Sequence, residues 1–488
     1  MKVKYGIAPI AAFMLFLMIM PPTTNIQKAR AAWTSGTIYI KADGSVEPWD
    51  APIKKMGDTY LLTDDIEITT DSIGMIIEKD DIIINGEGHA ISARSSFYGI
   101  ENRRGIYLRG RRNIVIENII IRNFKTAIYV YNSQYISIYK NKIENNKDGI
   151  DIDNSLTISI YENEIKNNKG CGIIIEYSSY IIINRNNMEN NDLIGIAIID
   201  SSNSVIHENK IKNSLYGIST GEWLFGDDSF NINISRNILA NNNRGIDLDG
   251  SIKFNIYENI FTNCGISFNF RHYRSTNFHF SIRDNMVNGK PLVYLEDSSN
   301  RTVNDAGQVI LIRCNGIIIK GLWLFNVYGS IQLFSSSNCI ITENNIENGN
   351  IILFLSSNNR IFENRVVGVP DPYNKYKLYP FSIDESSNNK FFHNDFIVGT
   401  GYGEVYLDPY NIWDDGYPSG GNYWSNYRGV DEKSGPNQDQ PGSDGIGDKP
   451  YSRDRYPFIK PRLTKFLKKT SLRVEINPPE ITESFLFQ

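Results

Sequence analysis

From Gly149 to Asn168 the chain reads GIDIDNSLTISIYENEIKNN, with isoleucines at 150, 152, 158, 160 and 165 and polar residues between them. Alternation at period two is the signature of a strand with one buried face, and the Asn, Gly and Ser clusters between the runs are turn formers. The same pattern returns from Ala127, Gly172, Gly195 and Gly245 without gaps. Asparagines recur in step at 118, 141, 163, 186, 209, 237 and 259, and related units carry Asn344, Asn364 and Asn394. A strand this short cannot bury its face alone, whereas coils stacked at about 4.8 Å pair each strand with its equivalents above and below. The pattern therefore predicts an all-β chain, a right-handed parallel β-helix of 22–23-residue coils. Asn163 and its equivalents are expected at the bends, in left-handed backbone conformation, with their amides bonded from coil to coil.

The rhythm breaks in defined places. The 28-residue step from Asn209 to Asn237 holds the insertion GEWLFGDDS, 221–229, and 288–307 reads as an irregular connection. Residues 33–85 are expected to form an N-terminal cap, 86–398 the coils, 399–460 a loop-built cap rich in Gly, Asp and aromatics, and 461–488 a tail. Open ends of a stacked sheet need such covers. Residues 1–32 place Lys2 and Lys4 before an apolar run that ends at Met20, with Ala29-Arg30-Ala31 beyond it, the pattern of a cleaved signal peptide. No later apolar run spans a bilayer. The chain is expected to be secreted, to the extracellular space, cell surface or periplasm, and monomeric.

Of 488 residues 41% are hydrophobic, and the net charge of −5 becomes more negative when the leader is lost. An acidic exported protein is a poor partner for nucleic acid. Cys171, Cys264, Cys314 and Cys339 are too sparse for a disulfide framework and are expected as free thiols.

Several stretches resemble the NosD-type β-helix family, described as carbohydrate-binding and sugar-hydrolase repeats. They are the GI-x-I…N-x-I-x-x-N coils, NMVNGKPLVYLED at 285–297, GYPSGGNYWSNY, and GPNQDQPGSDGIGDKPY. The resemblance implies an exported β-helix, and the eponymous member is an accessory factor for copper insertion. Copper fits this chain poorly. It calls for clustered imidazole or sulfur ligands, and the five histidines are scattered, with only His272 and His279 near one another.

Chemistry is expected on the outside. With Ile150 and Ile152 inward, Asp151 and Asp153 point outward. Equal offsets from each leading glycine align Asp153, Glu176 and Asp249 in one exterior row, with Tyr131 below, and these three acids are the candidate catalytic groups. Asp151, Asp247, Tyr131, and Glu222 and Trp223 of the insertion, are candidate substrate-binding residues, with an indole suited to a sugar face. Tyr139, Tyr161 and Tyr257 are expected as a row of packed rings. Asp439, Asp444 and Asp448, with Gly445 and Gly447 between, suggest a Ca²⁺ loop, with Asn437 as an accessory ligand. The expected function is to bind extracellular polysaccharide or cell-surface glycan and to hydrolyse, cleave or modify it. A non-enzymatic adhesion module and a metallocofactor accessory protein are the other classes that remain open.

Overall fold

A computed structural model describes residues 33–69, 72–94, 103–221, 229–249, 252–269, 280–371, 374–399 and 405–463. The stretch from Gly149 to Asn168 forms most of one coil of three strands, Asp148–Asp153, Leu156–Tyr161 and Glu164–Lys166. Ile150, Ile152, Ile158, Ile160 and Ile165 are buried inside it. Parallel pairing stacks Ile152 between Val130 and Ile175, so each inward isoleucine rests on aliphatic neighbours above and below. Each such side chain contributes roughly 1.5–3 kcal/mol by leaving water.

Stacking gives three faces. The first has 11 strands and ends at Ile266–Asn269; the second has 11 and ends at Phe280–Arg283; the third has 19 and reaches Tyr423–Trp424. The chain is a right-handed parallel β-helix, and no helix among the described residues is long and apolar enough to cross a membrane. Parallel pairing already joins Trp33–Ser35 to Ile66–Ile68 and Ile38–Ile40 to Met75–Ile77, so coils occupy the region assigned to an N-terminal cap. The stretch 288–307 is not irregular throughout. Lys290–Glu296 folds back antiparallel on Met286–Val287, then pairs in parallel with Gln308–Ile312 and founds a second stack. This stack has its own five-stranded sheet, from Thr302–Val303 to Lys390–Phe392, and its own core around Leu311, Leu333, Phe391 and Trp424.

At the corners the structure corrects the sequence reading. The left-handed residue is Glu162 (φ 56°), matched by Lys140, Arg185, Glu208, Arg236 and Glu258 in other coils, and not the asparagine that follows. Asn163 is buried under the bend. Its Nδ2 donates to the carbonyls of Ile138 (2.8 Å) and Tyr161 (3.1 Å), and both Nδ2 and the backbone N–H donate to Asn186 Oδ1 at 3.0 Å. The amide is needed inside, so the preceding solvated residue takes the bend. The ladder runs through 141, 163, 186, 209, 237 and 259 to Asn285. In the coil before Asn141 its place is held by Ile119, whose N–H donates to Asn141 Oδ1; Asn118 sits one position earlier, at the left-handed site.

The second stack carries its own ladder, Asn344 to Asn364, Asn394 and Asn422. Above Asn422 the acceptor is a carboxylate: Asp454 Oδ2 receives Asn422 N–H (2.7 Å) and Trp424 Nε1–H (2.9 Å). Burial pushes this carboxyl up to about 7 against the pull of those donors. The C-terminal stretch is thus fitted to close the helix. A Cβ at Gly421 would lie 1.8 Å from Asp454 Oδ1, and Gly420 (φ 92°) packs under Phe458. Cys314 and Cys339 take ladder positions too, their N–H groups donating to Ser336 Oγ and Asn359 Oδ1, and all four cysteines are free.

The corner geometry predicts opposite outcomes for adjacent glycine substitutions. Glu162→Gly should change stability by less than about 1 kcal/mol, because glycine accepts positive φ. Asn163→Gly should cost roughly 2–4 kcal/mol by orphaning buried backbone groups. Urea denaturation of the two variants checks this, and the reverse order would return the bend to Asn163.

Candidate functional site

The outward side of the first face carries two neighbouring columns. One runs Tyr107, Tyr129, Asp151, Ile174, Ala197, Ser219, Asp247, Ser267; beside it lie Arg109, Tyr131, Asp153, Glu176 and Ile199, with Asp249 farther along. Asp153 and Glu176 are direct cross-strand neighbours. Asp249 is three coils beyond Glu176, roughly 14 Å at the spacing of parallel strands, so it cannot act on the same bond. Exterior acids also prove to be of two kinds. Asp247 and Asp249 are only 6% and 9% exposed, which corrects the expectation of a solvated row.

The first cluster surrounds Asp151. Its Oδ1 is screened from solvent and has no hydrogen-bond partner. Burial, reinforced by the charges of Glu176, Asp153 and Asp148, pushes the Asp151 carboxyl up to about 8. Tyr129, directly below, passes it by and donates its hydroxyl to Asp153 Oδ2 at 3.1 Å. Burial, together with the Asp153 charge, drives the Tyr129 phenol upward, so it stays a donor. Its ring stacks on Tyr107 (5.8 Å between centroids) and Tyr131 (6.5 Å). The guanidinium of Arg104 lies over Tyr129 at 4.2 Å, and such cation–π contacts fix the ring.

A second cluster lies four coils on. Arg244 is sandwiched between Tyr216 (5.3 Å) and Tyr328 (4.2 Å), and its Nη1 donates to Asp247 Oδ1 at 2.8 Å. Ser267 donates its hydroxyl to the same oxygen. Burial alone would lower the guanidinium, but Asp247 outweighs it and the charge is retained. Asp247 is therefore committed to a structural ion pair and is not open to substrate as expected. Between the clusters the floor is apolar, formed by Ile174, Ala197 and Ile199.

Glu222 and Trp223 lie outside the described residues, as do Asp227, Asp228, His272 and His279. Tyr139 and Tyr161 stack at 4.7 Å on the second face, but Tyr257 is four coils from Tyr161 and packs under Arg283. The cap acids are spent on turns. Asp448 accepts the N–H groups of Glu432 and Lys433, Asp444 accepts those of Ile446 and of Gln438 Nε2, and Asp439 accepts Gln440 Nε2. Among the described residues no group of three or more His, Cys, Asp or Glu is arranged to hold a metal ion, so Asp439, Asp444 and Asp448 are not gathered as a calcium set. Arg104, Tyr129, Arg244 and Tyr328 escaped the sequence reading. Tyr129 shares the Asp151 offset and could have been found there; Tyr328 belongs to the second stack, where no repeat offset reaches it.

The family comparison agrees with this architecture. The family described as right-handed beta helix region matches residues 80–223. No curated protein matches the chain. Similar solved structures include DFA-IIIase from Arthrobacter chlorophenolicus A6, at 11% identity and TM-score 0.31 over 58% of this chain and 67% of that one. A hyperthermoactive exopolygalacturonase from Thermotoga maritima is similar at 13% identity and TM-score 0.29 over 65% and 81%. PfbA, a surface adhesin of Streptococcus pneumoniae, is similar at 12% identity and TM-score 0.32 over 70% and 92%.

The raised Asp151 carboxyl has a thermodynamic signature. Folded, it keeps its proton to about pH 8; unfolded, it releases it near its ordinary 3.8. Between these limits the native chain binds more protons, so this group makes stability fall as pH rises. Asp151→Asn should therefore gain on the parent as pH rises, by up to about 5 kcal/mol at pH 7.5 (about 1.4 kcal/mol per pH unit above 3.8), with the gain vanishing near pH 4. Guanidinium denaturation at the two pH values tests it; a gap independent of pH would contradict the buried protonated acid.

Proposed function

We propose that this chain is an exported protein that binds extracellular polysaccharide along its first face and hydrolyses it at the Asp151 cluster. The observation that carries the reading is the pairing of an acid held protonated near neutral pH with a carboxylate oriented by a phenol. Two carboxyls whose environments differ divide the roles of acid and base. Asp151 protonates the glycosidic oxygen, and Asp153, fixed by Tyr129, takes a proton from the attacking water. The negative charge of Glu176 helps keep Asp151 protonated. Asp151 and Asp153 are two residues apart on one strand, roughly 7 Å. That is a backbone spacing, and it allows the two carboxyls the roughly 6.5–9.5 Å separation that leaves room for water and inverts the anomeric centre. Tyr107, Tyr129 and Tyr131 supply aromatic surface for sugar rings, and the apolar floor continues it.

Incubation with a panel of neutral and uronate polysaccharides, followed by reducing-end assay and proton NMR of the first product, tests this. The expected outcome is release of inverted product from at least one member, with activity declining above about pH 8 as Asp151 loses its proton. Asp151→Asn should lower kcat by roughly 10²–10⁴ while polysaccharide binding persists. Absence of both binding and cleavage across the panel would defeat the reading, and cleavage at the parental rate by Asp151→Asn would remove Asp151 from it.

A further inference from the structure

Beyond the carboxylate face, an open cleft of about 560 Å³ straddles the last coils of the first stack and the first of the second. Its walls carry Asn213, Asn241, Asn243, Asn263, Asn326 and Asn348. Most of these belong to an exterior ladder at the corner after the third face. Asn263 Nδ2 donates to Asn241 Oδ1 (2.8 Å), Asn326 to Asn263 (2.9 Å) and Asn348 to Asn326 (3.0 Å), and below them Asn213 donates to Asn190 (2.9 Å). The ladder is interrupted between Asn213 and Asn241, where the longer step of the repeat falls. There the Nδ2 groups of Asn241 and Asn243 donate to no described residue, and both side chains face the cleft.

We propose that this cleft is a second saccharide site, selective for uncharged sugar. Among the described residues the lining contains no carboxylate, lysine, arginine or histidine, so neither a cation nor an anion finds a counter-charge among them. The charge of Arg244, behind the Tyr328 ring, is already matched by Asp247. What remains is a set of carboxamides, each offering donor and acceptor together. Neighbouring sugar hydroxyls, which also donate and accept, complement that arrangement. Tyr328, with Val369 and Pro370, adds an apolar patch against which the C–H face of a sugar can lie. Uronates, which need a cationic partner, are disfavoured by the same lining.

Calorimetric titration of the full chain with cellohexaose, mannohexaose and maltohexaose as uncharged probes, and hexagalacturonate as the charged one, tests the site. At least one uncharged probe should bind the parent and Tyr131→Ala alike; that variant strips aromatic surface from the first face alone, which separates this cleft from the carboxylate cluster. The pair Asn241→Gly, Asn243→Ala should weaken that binding roughly tenfold or more, for two lost hydrogen bonds, and leave any hexagalacturonate binding unchanged. Glycine keeps the φ of 54° at position 241 without strain. Asn348→Gly, at φ 51° on the other wall, is an independent variant if the pair unfolds. Absence of binding by all three uncharged probes, or an affinity unaltered by these variants, would overturn the proposal.

Discussion

Everything in this molecule depends on satisfying backbone groups at coil corners that are sealed from water. A buried peptide N–H or C=O left unpaired costs about as much as a hydrogen bond is worth, and a solenoid repeats that problem at every turn of the chain. The solution is a side chain that carries both donor and acceptor and is repeated in register. Asn163 ties the coil below to the coil above through one amide, and Ser155, Ser178 and Ser201 do the same at the next corner through hydroxyls. Isoleucine stacking supplies the larger share of the free energy, but it fixes no register along the axis. The corner ladders do, and the columns of outward side chains inherit their alignment from them.

That inheritance is what makes a surface site out of residues far apart in sequence. Tyr129, Asp151 and Ile174 stand in one column because their coils are locked in step, and Asp153 and Glu176 stand beside them for the same reason. The scaffold is rigid, so the Tyr129 hydroxyl needs no induced movement to hold Asp153. Its cost is visible in Asp151, whose carboxyl is kept from water beside other negative charges. A carboxyl held this way departs from the self-consistency of the repeat, as Asp454 does at the cap, and the proposed function rests on that departure.

Much of this was legible in the linear sequence, and the failures are instructive. Alternating isoleucines and recurring asparagines define the coil, its inward and outward positions, and the row that joins Asp153 to Glu176. Period two says which way a side chain points, however, and nothing about what covers it. Asp151 and Asp247 share an offset, yet Asp247 is sealed in an ion pair with Arg244 while Asp151 keeps an oxygen without a hydrogen-bond partner beside the proposed groove. Turn propensity favours asparagine at positive φ and so puts the bend at Asn163, whereas the amide is needed inside and the charged residue before it takes the bend. Lys290–Glu296 went unrecognised as a strand because its partner follows a reversal that breaks the repeat's phase.

Asp454 stands at the end of the second stack's inner ladder. Each asparagine of the inner ladder offers an oxygen downward and seeks one above, so an uncapped stack has no intrinsic end. A second molecule could supply the next oxygen as readily as a further coil, and unprotected strand edges invite such growth. A carboxylate accepts from below and has no proton to pass on when ionised, which makes it a chain terminator for hydrogen bonding. By placing that group over Asn422 and Trp424, the aromatic cap gives the inner ladder of the second stack an acceptor at its end.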